Sequence, residues 1–179
     1  LLESLLPVTV GSAEDQAKRH VNVVLLIDIS ASTGSGFSSS SRQSVEAVEK
    51  ALAVGVLNDL RATDRVAMVA FNTNAYVIAD LLPVADIRPL LIDRIPRLTY
   101  VGGTLVNEGI KAARQILAPL SGSKGIVLFS DGKSASKPDD LIAARIAAEQ
   151  GIKMYTVGVG EGTDAEHMEA LALAGNGAY

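Results

Sequence analysis

The sequence predicts an α/β fold in which a doubly wound, mainly parallel sheet is flanked by helices and carries one antiparallel edge strand. Residues 21–29 and 125–129 are almost continuous apolar runs. Such runs are typical of strands buried on both faces, as they are in parallel sheets. Helix-length segments alternate with the strands, which favours βαβ units. Residues 66–71 and 76–79 are separated by a short Asn-Thr-Asn turn, which predicts a hairpin and hence the antiparallel strand.

The elements follow in order from the first strand, 21–29. Ser44 can cap the helix after it, and the apolar face of that helix is predicted to comprise Val45, Val48, Leu52 and Val56. After the hairpin, residues 85–95 are predicted to form a short helix that Pro96 ends.

The second half of the chain repeats the strand–helix alternation. One helix carries an apolar stripe and ends near Pro119; its stripe is Val106, Ile110, Ala113 and Leu117. Strand 125–129 is followed by a helix from Pro138 to Gln150 and by a strand at 152–159. A last helix, capped by Thr163, ends at Ala174, and residues 175–179 resemble the beginning of another strand.

Two regions are predicted. Residues 1–20 form an N-terminal arm or linker, with apolar residues near its start and a polar stretch from Gly11 to His20. Residues 21–179 form one domain whose last strand is cut short. Because the chain opens with Leu and ends within a pattern, we expect a segment of a longer protein, with any signal peptide or anchor outside it.

The composition restricts the classes of function. The 179 residues are 48% hydrophobic, enough for one sizeable core, and the net charge of -4 argues against a nucleic-acid partner. The chain has no Cys, which excludes disulfides, Cys-ligated zinc and thiol catalysis. Only His20 and His167 are present, so a multi-His metal site is not expected. No apolar run reaches the roughly 18 residues that a membrane span needs.

Oxygen-bearing side chains follow two of the buried strands and open one helix. Asp28, Ser30 and Ser32 end the first strand, Asp131 follows strand 125–129, and Thr104 comes just before a helix. In doubly wound sheets ligands bind beyond the carboxyl ends of the strands, so we expect these side chains to meet. Oxygen-only sites favour Mg²⁺, with Mn²⁺ or Ca²⁺ as competitors. Two carboxylates would leave the ion electrophilic and able to accept an acidic group from a partner.

This pattern resembles the von Willebrand factor type A domain with its metal-ion-dependent adhesion site, across 21–179. The resemblance rests on Asp28-Ile-Ser30-Ala-Ser32, on Thr104 after two glycines, and on Ser-Asp131-Gly. It implies a Rossmann-like fold in which Ser30, Ser32 and Thr104 supply hydroxyls, and Asp28 and Asp131 ligate the ion directly or through water. It also implies a non-enzymatic module, of the kind used in cell adhesion, that captures an acidic side chain of a protein partner.

The resemblance is to bacterial members. The opening Leu-Leu-Pro-Val is similar to the lead-in of membrane-anchored ones, which implies an extracytoplasmic domain. Thr33 stands where the family often has Met, so the loop after Ser32 departs from the pattern.

Two other functions stay open at this point. An aspartyl phosphatase or phosphotransferase would use Asp28 as its nucleophile, although Ser30 occupies the position of the usual second Asp. A structural subunit of a chelatase or ATPase assembly would use the same domain. The remaining candidates have structural interpretations: Thr104 as a helix N-cap, Lys133 as a solvated loop lysine, and His20 and His167 as surface residues. Asp139 and Asp140, like Asp164, are expected in the charged first turn of a helix.

Overall fold

A computed structural model of the chain describes residues 20–31 and 45–179, and it contains a five-stranded sheet in the order β3-β2-β1-β4-β5. The strands are β1 (Val21–Asp28), β2 (Arg65–Phe71), β3 (Ala75–Pro83), β4 (Ser123–Ser130) and β5 (Ile152–Gly158). The helices are α1 (Val45–Asp59), α2 (Val84–Arg94), α3 (Val106–Leu117), α4 (Lys137–Glu149) and α5 (Ala165–Ala174), and a 3₁₀ turn (Ile95–Arg97) follows α2.

The pairing confirms the predicted fold class. Central strand β1 pairs in parallel with β2 and β4, β4 pairs in parallel with β5, and β3 lies antiparallel to β2 at the edge. The strand ends are aligned, since Asp28 pairs with Phe71 and Ser130 with Gly158. The residues that follow β1, β2, β4 and β5 therefore leave the sheet along one edge.

Helices cover both faces of the sheet, and the central strands β1 and β2 are buried on both sides. Alternate residues of β1, such as Leu26, pack with α3, α4 and α5 in one core. The intervening residues, such as Leu25, pack with α1 and α2 in the other. Residues Val24 to Ile27 have no exposed surface. Burying a Val, Leu or Ile side chain contributes about 1.5–3 kcal/mol, so β1 anchors the edge that it ends on.

The predicted buried face of α1 is half right, because Val45 and Val56 pack against the core but Val48 and Leu52 are exposed. Glu49, Ala53 and Leu57 are its buried residues, whereas Val48 and Leu52 are 36% and 39% exposed. The helix is apolar on more than one side, so the periodicity did not specify which stripe faces the sheet. Ser44 lies outside the described residues, as does the whole arm except for the exposed His20.

Two predicted helix caps also differ. Asp164, rather than Thr163, caps α5, and its side chain accepts a hydrogen bond from the His167 amide. Leu105, rather than Thr104, is the N-cap residue of α3, and the first amides of that helix donate to the side chains of Ser134 and Asp140.

The segment after α5 runs beside β5 and hydrogen-bonds to it, but it does not form a regular strand. The carbonyls of Gly175 and Ala178 accept hydrogen bonds from the Met154 and Thr156 amides, each 3.0 Å long. The expected further strand is thus represented by two backbone bonds. Among the described residues, no helix is long and apolar enough to cross a membrane.

Candidate metal site

Asp28 is the last residue of β1, and its side chain is completely buried. One carboxyl oxygen, Oδ1, accepts a 2.9 Å hydrogen bond from the Ser30 amide, and Oδ2 accepts a 2.6 Å bond from the Ser130 hydroxyl. Burial raises the pKa of Asp28, hydrogen bonds from Ser130 and Ser30 oppose that rise, and the charge of Asp131 adds to it. The site thus holds a carboxyl in an environment that disfavours an uncompensated negative charge.

Asp131 directly follows β4 and is also buried. Its Oδ1 accepts a 3.0 Å hydrogen bond from the Lys133 amide. Its Oδ2 is buried without a hydrogen-bond donor, although the Lys133 ammonium lies 3.5 Å away. The turn is possible because Gly132 adopts a positive φ of 76° and its amide donates to the Ser130 hydroxyl at 3.0 Å. An acceptor oxygen of this kind suits a cation.

The loop of residues 101–104 is held against the end of β1 by backbone hydrogen bonds. The Val101 amide donates to the Ile29 carbonyl at 2.8 Å, and the Ala31 amide donates to the Gly102 carbonyl at 3.0 Å. The Asn72 side-chain amide donates to the Val101 carbonyl at 3.0 Å. Residues following β1 and β2 therefore fix this loop from both sides.

Thr104 is buried at the end of this loop, 6% exposed. Its carbonyl accepts a 3.0 Å hydrogen bond from Ala135, in the loop after Asp131. The structure thus places Asp28, Ser30, Thr104 and Asp131 in three loops that hydrogen-bond to one another at the carboxyl edge of the sheet. The fifth predicted residue, Ser32, lies outside the described residues.

Sequence reasoning did not assign Ser130 or Glu49 to the site. Ser130 is completely buried between Asp28 and Gly132, and its place before the Asp-Gly turn was the available signal. Glu49, on the buried side of α1, accepts a 2.8 Å bond from the Tyr100 hydroxyl through Oε2, while its buried Oε1 receives none. Burial raises the pKa of Glu49 well above its usual range, and the charges of Asp28 and Asp131 raise it further.

A buried polar cluster connects three helices behind the site. Asp140 has no exposed surface; its Oδ1 accepts a 2.7 Å bond from the Asn107 amide, and its Oδ2 lies 3.1 Å from His167 Nε2. The expectation that His167 is a surface residue is therefore wrong, because its partner lies 27 positions earlier in the chain. Asp140 lies in the first turn of α4, as predicted, and is buried there. Since Asn107 lies in the first turn of α3 and His167 lies in α5, this cluster fixes both helices next to the site.

The donor set fits a hard divalent cation. The side chains of the four described residues offer only carboxyl and hydroxyl oxygens, which are the ligands that hard cations prefer. Asp131 Oδ2 is buried and receives no hydrogen bond, and the Lys133 ammonium lies 3.5 Å from it. Over residues 20–31 and 45–179, no three His, Cys, Asp or Glu side chains are grouped so as to hold a metal. Any ion at this edge would therefore depend on hydroxyl or water ligands besides the two carboxylates.

The chain belongs to the von Willebrand factor type A domain family, whose model matches residues 22–179. Domains of this family are generally interaction modules and are often metal-dependent. The uncharacterized protein sll0103 of Synechocystis is 27% identical over an alignment of 172 residues, and the match covers 93% of this chain. The chain spans 39% of the length of that relative.

Solved structures share the fold. An aerotolerance-related membrane protein of Bacteroides fragilis is 22% identical with a TM-score of 0.74, and the match covers 89% of this chain and 90% of that one. The manganese-loaded TRAP protein of Plasmodium vivax is 18% identical with a TM-score of 0.69, covering 86% and 62%. The proximal thread matrix protein 1 of the mussel byssus, with a zinc-occupied adhesion-site motif, is 19% identical with a TM-score of 0.69, covering 89% and 40%.

Proposed function

We propose that the carboxyl edge of the sheet binds a divalent cation, and that the bound cation captures an acidic side chain of a protein partner. Mg²⁺ is the proposed ion, with Mn²⁺ or Ca²⁺ as alternatives. Asp28 and Asp131 would supply charge, and Ser30, Ser32 and Thr104 would supply hydroxyls. The observation that carries this proposal is Asp131 Oδ2, a buried carboxyl oxygen that receives no hydrogen bond.

The charge balance favours capture of an anion. Two aspartates neutralise one divalent ion, and hydroxyls add no charge, so the ion would keep an affinity for a further carboxylate. Burial raises the pKa of Glu49, so burial disfavours a third negative charge at this edge. When bound, the ion would act as a Lewis acid toward the oxygen of the incoming carboxylate. This chain's residues would hold the ion and exclude competing donors.

The comparisons add support of a different kind. The Plasmodium TRAP structure contains manganese and the mussel structure contains zinc, on folds similar to this one.

We also propose that residues 21–179 constitute the domain and that residues 1–20 are an arm leading into it. The similarity to a membrane protein of Bacteroides supports the proposal that this is an extracytoplasmic domain of a membrane-anchored protein.

Metal titration tests the proposed ion site. We expect Mn²⁺ to bind the wild-type chain in calorimetry, and Asp28→Asn and Asp131→Asn to abolish that binding, because each removes half of the carboxylate charge. Asp139→Asn is the matched control, since Asp139 is exposed and hydrogen-bonds to Ser136. Unchanged Mn²⁺ affinity in both site variants would refute the assignment.

Partner capture tests the second half of the proposal. An immobilised acidic peptide should retain the protein in Mg²⁺ and release it in EDTA, and Thr104→Ala should weaken the retention without unfolding the domain. Equal retention in Mg²⁺ and in EDTA would refute metal-mediated capture.

A screen of phosphate esters with Mg²⁺ tests the enzymatic alternative, which would be favoured by turnover that Asp28→Asn abolishes.

A further inference from the structure

A cavity of about 490 Å³ adjoins the candidate metal site. The loop that ends in Thr104 forms one wall, and the loop after Asp131 forms the other, with two lysines, Lys133 and Lys137, among its lining residues. Asp164, at the start of α5, closes a third side. A partner side chain bound at the metal would therefore continue into a cavity that has two lysines among its lining residues.

The two lysines differ in how their charges are balanced. Lys137 pairs closely with Asp164, whose carboxyl also accepts the His167 amide as the cap of α5. Lys133 is half exposed, and its ammonium lies 3.5 Å from Asp131 Oδ2. That oxygen is a proposed metal ligand, so the ammonium of Lys133 and the cation would compete for the same carboxylate.

Binding of a cation would weaken this ion pair. A divalent ion on Asp131 removes the negative charge that Lys133 faces and also repels the ammonium. The lysine side chain is long and half exposed, so it can turn away at little cost and present its charge to the cavity. An acidic group entering the cavity would then replace Asp131 as its partner.

We propose that Lys133 is a specificity-determining residue that selects partners carrying two acidic side chains, one for the metal and one for the Lys133 ammonium. This inference rests on the proposed function. In an extended peptide, residues i and i+2 point to the same side and lie about 7 Å apart. The preferred ligand is therefore an extended segment with acids at alternate positions, laid across the metal and the cavity.

The inference predicts effects of opposite sign for one substitution. Lys133→Gln removes the ammonium group that competes with the metal ion for Asp131. Mn²⁺ affinity should therefore rise about two- to fivefold, which is the range expected from the loss of an exposed ion pair. The same variant should lose the preference for a doubly acidic ligand. A residue with a merely structural role would not raise metal affinity while reducing ligand discrimination.

The experiment uses two heptapeptides, one with Asp and Glu at its third and fifth positions and one with Gln replacing that Glu. Wild-type protein in saturating Mn²⁺ should bind the doubly acidic peptide about two- to fivefold more tightly. Lys133→Gln should bind both equally, and Lys133→Arg should restore the preference. Lys153→Gln, an exposed lysine at the opposite end of β5, is the matched control and should behave as wild type.

A second variant keeps the charge and moves it. A Cβ added at Gly162 would lie 2.9 Å from the Lys133 ammonium in its position beside Asp131, so Gly162→Ala should displace that group and raise Mn²⁺ affinity while keeping the peptide preference. If wild type binds Mn²⁺ and the singly acidic peptide but Lys133→Gln changes neither affinity nor preference, the inference is overturned and the proposed function stands. If wild type binds no Mn²⁺, the proposed function fails and the inference fails with it. The same follows if wild type binds each peptide as tightly in EDTA as in Mn²⁺.

Discussion

Replacing Ser130 by Ala should impair the metal site although Ser130 is not among the proposed ligands. Its hydroxyl donates to Asp28 Oδ2 at 2.6 Å and accepts the Gly132 amide at 3.0 Å, all within a completely buried environment. Ala would leave a buried carboxyl oxygen and a backbone amide each without this partner. A hydrogen bond to a charged group contributes about 1.5–3 kcal/mol, so the loss of stability should be near 2 kcal/mol.

The effect on metal binding follows from the same bond. Removing a group that orients a ligand lowers metal affinity about 10- to 100-fold. Calorimetric titration with Mn²⁺ measures that change, and urea unfolding in EDTA measures the stability separately. Ser134→Ala is the control: this hydroxyl lies four residues further on and accepts longer bonds, 3.4 Å from Val106 and 3.5 Å from Ser136. It should change metal affinity less than twofold.

Ser130→Ala with wild-type Mn²⁺ affinity would refute this reasoning, provided that Asp28→Asn abolishes binding. That combination would show that Asp28 holds its orientation without the hydroxyl. A loss of affinity equal in Ser130→Ala and Ser134→Ala would also contradict it, because the effect would then belong to the loop as a whole.

Three further predictions concern charge and metal removal. Glu49→Gln should stabilise the metal-free protein, because burial raises the pKa of Glu49 in the folded state. The gain in free energy of unfolding, measured by urea unfolding, should be absent near pH 4 and grow by about 1.4 kcal/mol per pH unit until the folded-state pKa is reached. Burial raises the pKa of Asp64, but bonds from Arg61 and the Val21 amide outweigh it and hold the pKa below its usual value. Asp64→Asn should therefore cost about 1–3 kcal/mol at pH 7, a cost that disappears as the pH falls below about 4; a cost independent of pH would contradict this. EDTA should leave the far-ultraviolet circular dichroism unchanged, while Mn²⁺ at 100 times its Kd should raise the free energy of unfolding by about 2.7 kcal/mol; a chain that unfolds in EDTA would contradict this.

The central strands could be predicted because burial on both faces leaves a plain signature. Every residue from Val24 to Ile27 is apolar and has no exposed surface. Edge strand β3 was predicted too short, as residues 76–79 instead of Ala75–Pro83. Its pairing with β2 contains register shifts around Met68, and its burial does not alternate regularly. A bulged, half-exposed strand breaks the period of two on which the prediction depends.

The site was predictable where it coincided with strand ends, and not where it depended on side-chain orientation. Asp28 and Asp131 each end an apolar run, so topology alone places them at the same edge. Glu49 was missed because α1 has two possible apolar stripes, and tertiary packing selects the one containing the acid. The adjacent residues Thr163 and Asp164 are both of types that favour a helix N-cap. Asp164 is the residue that caps α5 in the structure, where its amide donates to the Asp131 carbonyl at 2.7 Å.

Backbone hydrogen bonds join the segments of the candidate site to one another and to α5. Asp131 is tied to α5 through the amide of Asp164, and Thr104 is tied to the neighbouring loop through Ala135. The buried carboxyl groups are balanced by protein groups: Asp28 by a hydroxyl and an amide, and Asp131 by an amide and the Lys133 ammonium. A cation at Asp131 would therefore take the place of the Lys133 ammonium, which lies 3.5 Å from Oδ2. Because a divalent ion carries twice the charge of an ammonium, part of that charge would stay available to a partner's carboxylate.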